Sequence, residues 1–234
     1  MEMFGNRSAG HALNSPANAS VEERLGFLRK VYGLLTLSLL SAAVAAYVGR
    51  LFVSPGLMLG LFVAEFVLIF VAIGVRRKPG LNVAALFAFT AVSGLTLGPV
   101  MLVYNAGVIQ EALVLTVLIF GGLTLYVVTS KKDFSFLSGF LFTGLIVVIA
   151  GSLLNAFFFQ SPAGEFIIAA GGVLLFSGFI LYDTSNILRH YAVEDYTSAT
   201  LALYLDIVNV LLFLPRLLSN RDQPGGTARG SGDA

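Results

Sequence analysis

Seven stretches of this 234-residue chain are apolar over lengths close to the hydrocarbon thickness of a bilayer, which removes most folds from consideration. They cover approximately 31–48, 57–75, 81–103, 108–128, 136–159, 166–188 and 200–218. The connections are short, polar and punctuated by Pro or Gly, as in Arg76-Arg77-Lys78-Pro79-Gly80 and Thr129-Ser130-Lys131-Lys132-Asp133. In hydrocarbon a segment must pair its own backbone N–H and C=O groups, so each run is expected to be a helix. The expectation is an all-α integral membrane protein, a seven-transmembrane helix bundle over 31–218. Residues 1–30 read as a polar segment without fixed structure, and 219–234 as a flexible, Gly-rich tail. Ala43-Val44-Ala45 superficially resembles a signal-peptide cleavage site, but it reads better as small-residue packing in a first spanning helix.

Orientation follows from Lys and Arg in the loops. With the N-terminus inside, the inner segments hold Arg7, Arg24, Arg29, Lys30, Arg76, Arg77, Lys78, Lys131, Lys132 and Arg189. The outer ones hold only Arg50, Arg216, Arg221 and Arg229. The asymmetry favours a cytoplasmic N-terminus, and seven crossings then place the C-terminus outside. Three of the four outer positives sit at or after the last run, so a re-entrant seventh run is the competing topology.

Only 12% of the residues are charged, about half the usual share for a soluble domain, so those inside the runs are informative. Glu65, Asp183, Asp206 and Arg216 lie within runs, and Arg76 ends the second. An ionised group in hydrocarbon is costly, which makes each a candidate site residue. Asp183 and Asp206 both fall roughly 8–9 Å inside the same boundary, at a rise of 1.5 Å per residue. Arg76 lies on that side and is long enough to reach along its helix. Glu65 lies roughly 16 Å further out than Arg76, and Arg216 roughly 15 Å further out than Asp206. The charges therefore sort into two layers, Glu65 with Arg216 and Arg76 with the two aspartates.

The outer layer is balanced and suits a structural ion pair. The inner one has one positive charge against two negatives, which a structural lock does not require. Either one carboxyl keeps its proton or a cation binds between the two, so the pair is expected to titrate as a unit. The remaining acids, including Glu111, Glu165, Glu194 and Asp195, lie in loops or at helix starts, where acids are ordinary. Gly94, Gly98, Gly121, Gly122, Gly171, Gly172 and Gly178 read as close-packing positions, with Pro99 the best candidate for a hinge.

The run Leu181-Tyr182-Asp183-Thr184, the Asp195-Tyr196 turn, and Leu203-Tyr204-Leu205-Asp206-Ile207-Val208-Asn209 followed by Leu214-Pro215-Arg216 resemble the Bax inhibitor-1 family. The resemblance extends over the membrane portion and includes Glu65 and Arg76. It implies a seven-helix protein of the bacterial type, in the cytoplasmic membrane, acting as a pH-sensitive calcium leak. In that implication Asp183 and Asp206 form the pH sensor and ion path, Arg76 latches the sensor closed, and Glu65 and Arg216 form the supporting pair. The partners implied are the lipid bilayer and calcium ions, with no nucleic acid and no cofactor beyond transient calcium. Any calcium held by Asp183 and Asp206 is expected to be weakly bound, because calcium takes six to eight oxygens. The family is also associated with suppression of cell death and with modulation of a membrane-bound protease.

Competing functions fare worse on the residues. Two membrane aspartates also serve intramembrane aspartyl proteases, but Leu203-Tyr204-Leu205 stands where those enzymes carry Gly-x-Gly, and no Pro-Ala-Leu occurs. A retinal protein needs a lysine within a helix, whereas Lys30, Lys78, Lys131 and Lys132 lie at membrane edges. The chain has no cysteine and two histidines outside the runs, His11 and His190, which removes thiolate and histidine-rich metal sites. The expectation is not an enzyme. The alternative kept open is a non-transporting regulator of a membrane protease or other membrane partner.

Overall fold

The computed structural model describes residues 20–52, 54–130 and 132–221. Among these residues seven α-helices follow in order: α1 Val21–Phe52, α2 Pro55–Val75, α3 Leu81–Met101, α4 Ala106–Ser130, α5 Ser138–Leu154, α6 Pro162–Arg189 and α7 Tyr196–Arg221. A 3₁₀ turn, Ser135–Leu137, leads into α5, and a π-helical turn, Asn155–Phe159, closes it. Among the described residues no strand occurs, and seven segments are long and apolar enough to cross a membrane. Phe66, Leu118 and Phe142 are each more than 60% exposed, as lipid-facing side chains would be.

The first helix departs from expectation. It begins at Val21, so residues 21–30 are helical rather than unstructured. The physical reason is a capping box. Ser20 Oγ accepts from the Glu23 N–H at 3.2 Å, and Glu23 Oε2 accepts from the Ser20 N–H at 3.0 Å. Phe27 then enters the core, 2% exposed, ahead of the apolar run itself. The rest of the polar N-terminal segment, and the tail beyond Arg221, lie outside the described residues.

Two further starts are as short-range chemistry dictates. Ser54 precedes Pro55 and accepts from the Leu57 N–H at 3.4 Å, and Ser161 precedes Pro162 and accepts from Gly164 at 3.3 Å. The seventh run is one unbroken helix through Pro215 to Arg221, which removes the re-entrant alternative as a structural possibility for these residues. It is also the centre of the bundle. α7 packs against α1, α4, α6 and, at fewer places, α3, and Leu203, Tyr204 and Val210 are fully buried. The Tyr204 ring meets Phe89 edge-on at 5.9 Å, and its hydroxyl donates to the Thr90 carbonyl at 3.5 Å. α2 and α5 are peripheral, packed on α3 and α6 respectively.

The closest packing joins α1 to α3. A Cβ at Gly94 would meet the Ala42 carbonyl oxygen, and one at Gly98 the Ala46 carbonyl oxygen. These two glycines are four apart, the small-xxx-small spacing that lets membrane helices touch backbone to backbone. Pro99 lacks the N–H that would bond the Leu95 carbonyl. That oxygen lies against Gly49 of α1, so the freed carbonyl is part of the same contact. α3 stays helical through Pro99, and no hinge opens there. Gly172 and Gly178 also sit under neighbours, the Phe213 ring and Leu141, whereas Gly121, Gly122 and Gly171 face open space.

Candidate functional site

Asp183 is carried by α6 and Asp206 by α7, the two helices joined by the short turn at 190–195. Each carboxyl group is within hydrogen-bonding reach of the other. Asp206 is 3% exposed, and its Oδ2 is buried with no donor. Two ionised carboxylates cannot hydrogen-bond, so that atom finds a partner only if one acid carries a proton or a cation lies between them. The meeting of the two aspartates expected from helix depth is thus the geometry found. They open onto a cavity of about 500 Å³ between α5, α6 and α7, whose walls include Val148, Phe176, Leu205, Ser152 and Asn209. Asn209 donates its amide to the Leu205 carbonyl at 2.7 Å, and Ser152 its hydroxyl to Val148 at 2.7 Å. Both thereby keep acceptor oxygens for the cavity.

Arg76 is not where sequence placed it. Its Nε lies 3.9 Å from Oδ1 of Asp195, and Arg77 Nε reaches the same oxygen at 3.4 Å. The expected bridge from Arg76 to Asp183 is therefore not formed. The reason is depth: Asp195 immediately precedes α7, level with the end of α2, whereas Asp183 lies at the level of Asp206, roughly 16 Å deeper. A guanidinium that can pair at the membrane edge avoids that desolvation. Asp195, passed over as an ordinary loop acid, is 8% exposed and ties α2 to α7. Asn82 reinforces the junction, donating to the Arg76 carbonyl at 3.2 Å and to the Tyr196 hydroxyl at 3.4 Å. Asp195 and Asp206 are eleven residues apart, about three turns, and so share one face of α7. Between these levels sits Tyr191, whose hydroxyl is held protonated by burial first and then by negative charge, that of Asp183 and Asp206 and of Asp195 included. The missed signal for Asp195 was its position one residue before a helix start, on the side carrying Arg76.

The second expected layer also separates. Glu65 accepts from the Thr96 hydroxyl of α3 at 3.2 Å. Arg216 stands at the other end of a polar cavity, with Glu165 in the same wall and the Tyr104 hydroxyl as a hydrogen-bonding neighbour. Burial raises the Tyr104 pKa more than Arg216 lowers it, so that hydroxyl stays protonated. Glu65 and Arg216 do not pair, because α2 packs on α3 and not beside the end of α7. Depth says nothing about azimuth.

A third cluster was not anticipated. Asp133, Ser185 and His190 converge at the α4–α5 loop, with His190 Nε2 3.5 Å from Asp133 Oδ2 and Ser185 Oγ donating to Asp133 Oδ1 at 3.4 Å. The residue types are those of a hydrolytic triad, but the order is not, since the serine binds the carboxylate instead of the imidazole. It is a clamp. Ser185 Oγ accepts from the buried Phe134 N–H at 3.0 Å, and Arg189 donates to the Lys132 carbonyl at 2.9 Å. Asp133 is held below the ordinary carboxylate range, chiefly by the Ser135 N–H and further by the His190 and Arg189 charges. A depressed carboxyl stabilises the fold above its ordinary pKa, and that contribution fades only as pH falls through the lowered value. Asp133 is thus no source of a response near neutrality. Ser185→Ala leaves the Phe134 N–H unpaired and is expected to cost about 1–3 kcal/mol, read as a lower thermal unfolding midpoint in detergent. An unchanged midpoint would show that the clamp contributes nothing.

Seven membrane-length helices with a carboxyl pair among them define a polytopic membrane protein whose candidate site lies within its apolar helices. The chain belongs to the Bax inhibitor-1 family: the family model described as "Inhibitor of apoptosis-promoting Bax1" matches residues 24–223. It is 40% identical over 213 residues to the "Golgi anti-apoptotic protein" of Vaccinia virus (strain Lister), covering 88% of this chain and 90% of that one. It is 37% identical over 210 residues to "Protein lifeguard 4" of Mus musculus, covering 86% and 88%. An "Uncharacterized membrane protein" of Vibrio cholerae is 38% identical over 204 residues, covering 83% and 91%.

Proposed function

We propose that this protein is a pH-sensitive calcium leak, with Asp183 and Asp206 as the sensor and the junction of Arg76 and Arg77 with Asp195 as the latch. The observation that carries this reading is the buried Asp206 Oδ2, which lacks a donor beside a second carboxyl group and a cavity. In the closed state the pair shares one proton, a charge-assisted bond roughly twice as strong as a neutral one. A second proton replaces it with a neutral contact and lets α6 and α7 part. The closed form is therefore favoured while one proton is shared, and that preference is lost as pH falls through the second protonation. Calcium competing for the carboxylates acts in the opposite sense, holding the helices together. Among the described residues no group of three or more His, Cys, Asp or Glu side chains is placed to hold a metal. Weak binding suits a path that an ion must also leave. The charge asymmetry of the loops supports an N-terminus on the cytoplasmic side.

The latch has its own test. Asp195→Asn removes the carboxylate shared by Arg76 and Arg77 while keeping shape. A hydrogen bond to a charged group is worth about 1.5–3 kcal/mol, so calcium efflux from proteoliposomes is expected to rise about tenfold at neutral pH. Its pH dependence should persist, because the sensor is intact. Unchanged efflux at every pH would remove the latch from the mechanism. The regulator reading draws on the anti-apoptotic description of a relative. It predicts no efflux from liposomes containing this protein alone.

A further inference from the structure

A second cavity, of about 320 Å³, adjoins the one beside the acid pair, and Ser152 lines both. The two differ in chemistry. The first is walled mainly by apolar side chains, Val148 and Ile149 of α5, Phe176 and Phe179 of α6, Leu205 and Phe213 of α7. It extends along α7 from Ala202 to Phe213, roughly 16 Å. Its α5 wall is thin, since α5 packs on α6 without substantial contact to α7, and Ile149 and Leu153 are 51% and 54% exposed. At membrane depth such an opening faces acyl chains. The second cavity lies at the α5–α6 turn and is polar, with Asn155, Gln160, Ser161, Glu165 and Arg216 in its wall.

An elongated apolar chamber, a hydroxyl at its neck, and a chamber holding one positive and one negative charge match the parts of one kind of molecule. We propose that the adjoining cavities hold a single zwitterionic phospholipid of the ethanolamine type, its phosphate toward Arg216, its ammonium toward Glu165, and one acyl chain alongside Asp183 and Asp206. Headgroup charge selects a zwitterionic lipid, and the N–H donors that ethanolamine has and choline lacks suit the Glu165 carboxylate. An anionic head without an ammonium leaves Glu165 facing another negative charge, and a fatty acid lacks a partner for it. The combined size suits a headgroup and one acyl chain, with the second chain in the surrounding bilayer. The chain seals the lateral opening and keeps the acid pair dry, which strengthens any charge interaction within it. The site is that of the proposed leak, but lipid occupancy is read without ion flux, so either reading can fail alone.

The test is native mass spectrometry of the full-length protein in detergent micelles with phosphatidylethanolamine, phosphatidylglycerol, oleic acid or inorganic phosphate. The expected result is one retained phosphatidylethanolamine per protein, held about tenfold more tightly than phosphatidylglycerol. Ala202→Phe and Ile149→Trp narrow the apolar chamber, and each is expected to reduce retention about tenfold. Ile149 is half-exposed, so its variant folds even if Ala202→Phe does not. Glu165→Gln is expected to abolish the preference between the two headgroups, and Arg216→Gln to weaken both. Equal retention by wild type and Ile149→Trp would identify ordinary surrounding lipid and overturn the proposal. So would equal binding of both phospholipids by the wild type, or displacement of the lipid by inorganic phosphate.

Discussion

Calcium efflux from proteoliposomes carrying Asp183→Asn together with Asp206→Asn is expected to change less than about twofold across the pH range in which the wild type rises about tenfold on acidification. The amides are nearly isosteric with the acids, make only a neutral contact and leave no carboxyl to titrate, so they copy the doubly protonated pair at every pH. Efflux should stay at the open level. Either amide alone donates to the remaining carboxylate, copies the singly protonated pair at neutral pH, and still opens when that carboxylate takes up a proton. This distinguishes the sensor from the latch, since Asp195→Asn raises efflux and keeps the pH profile. A wild-type profile preserved in the double variant would assign the pair to packing alone.

Gly94→Leu is expected to produce the largest loss of stability of any single substitution considered. The new side chain would have to displace backbone, because the Ala42 carbonyl and Cα, the latter 2.8 Å from a built Cβ, occupy its place. Overpacking by a few methylenes costs about 1–3 kcal/mol where side chains can adjust, and a rigid helix backbone adjusts less. Thermal unfolding in detergent should show a loss of about 3 kcal/mol or more, with α1 released from α3. Gly121→Leu is the control, since nothing lies within 4 Å of a Cβ there, and it should be within about 0.5 kcal/mol of wild type. Equal losses at both positions would mean that the backbone contact does not stabilise the bundle.

The glycines show how far pattern reading reaches. Gly94 and Gly98 carry a spacing with a known packing consequence, and they do pack. Gly121, Gly122 and Gly171 were read the same way, yet each faces open space. Composition identifies small residues but not the face of the helix that is covered. The first helix shows the converse. Ser20 and Glu23 are a complete capping signal, and only their reciprocal hydrogen bonds set them apart from the polar residues around them.

The same division runs through the site. Sequence alone determined seven membrane-length helices, because hydrocarbon thickness and backbone pairing leave no other solution for such runs. It also brought Asp183 and Asp206 to one level, because consecutive antiparallel helices joined by a short turn must match in depth near that turn. What it could not determine was rotation about each helix axis and which non-consecutive helices touch. Those decided that Arg76 meets Asp195, that Glu65 meets Thr96, and that Arg216 and Glu165 line one polar chamber. Rise per residue is fixed by local hydrogen bonding, whereas azimuth and neighbours are settled only when α1, α3, α4 and α6 pack on α7 and α2 and α5 dock outside them.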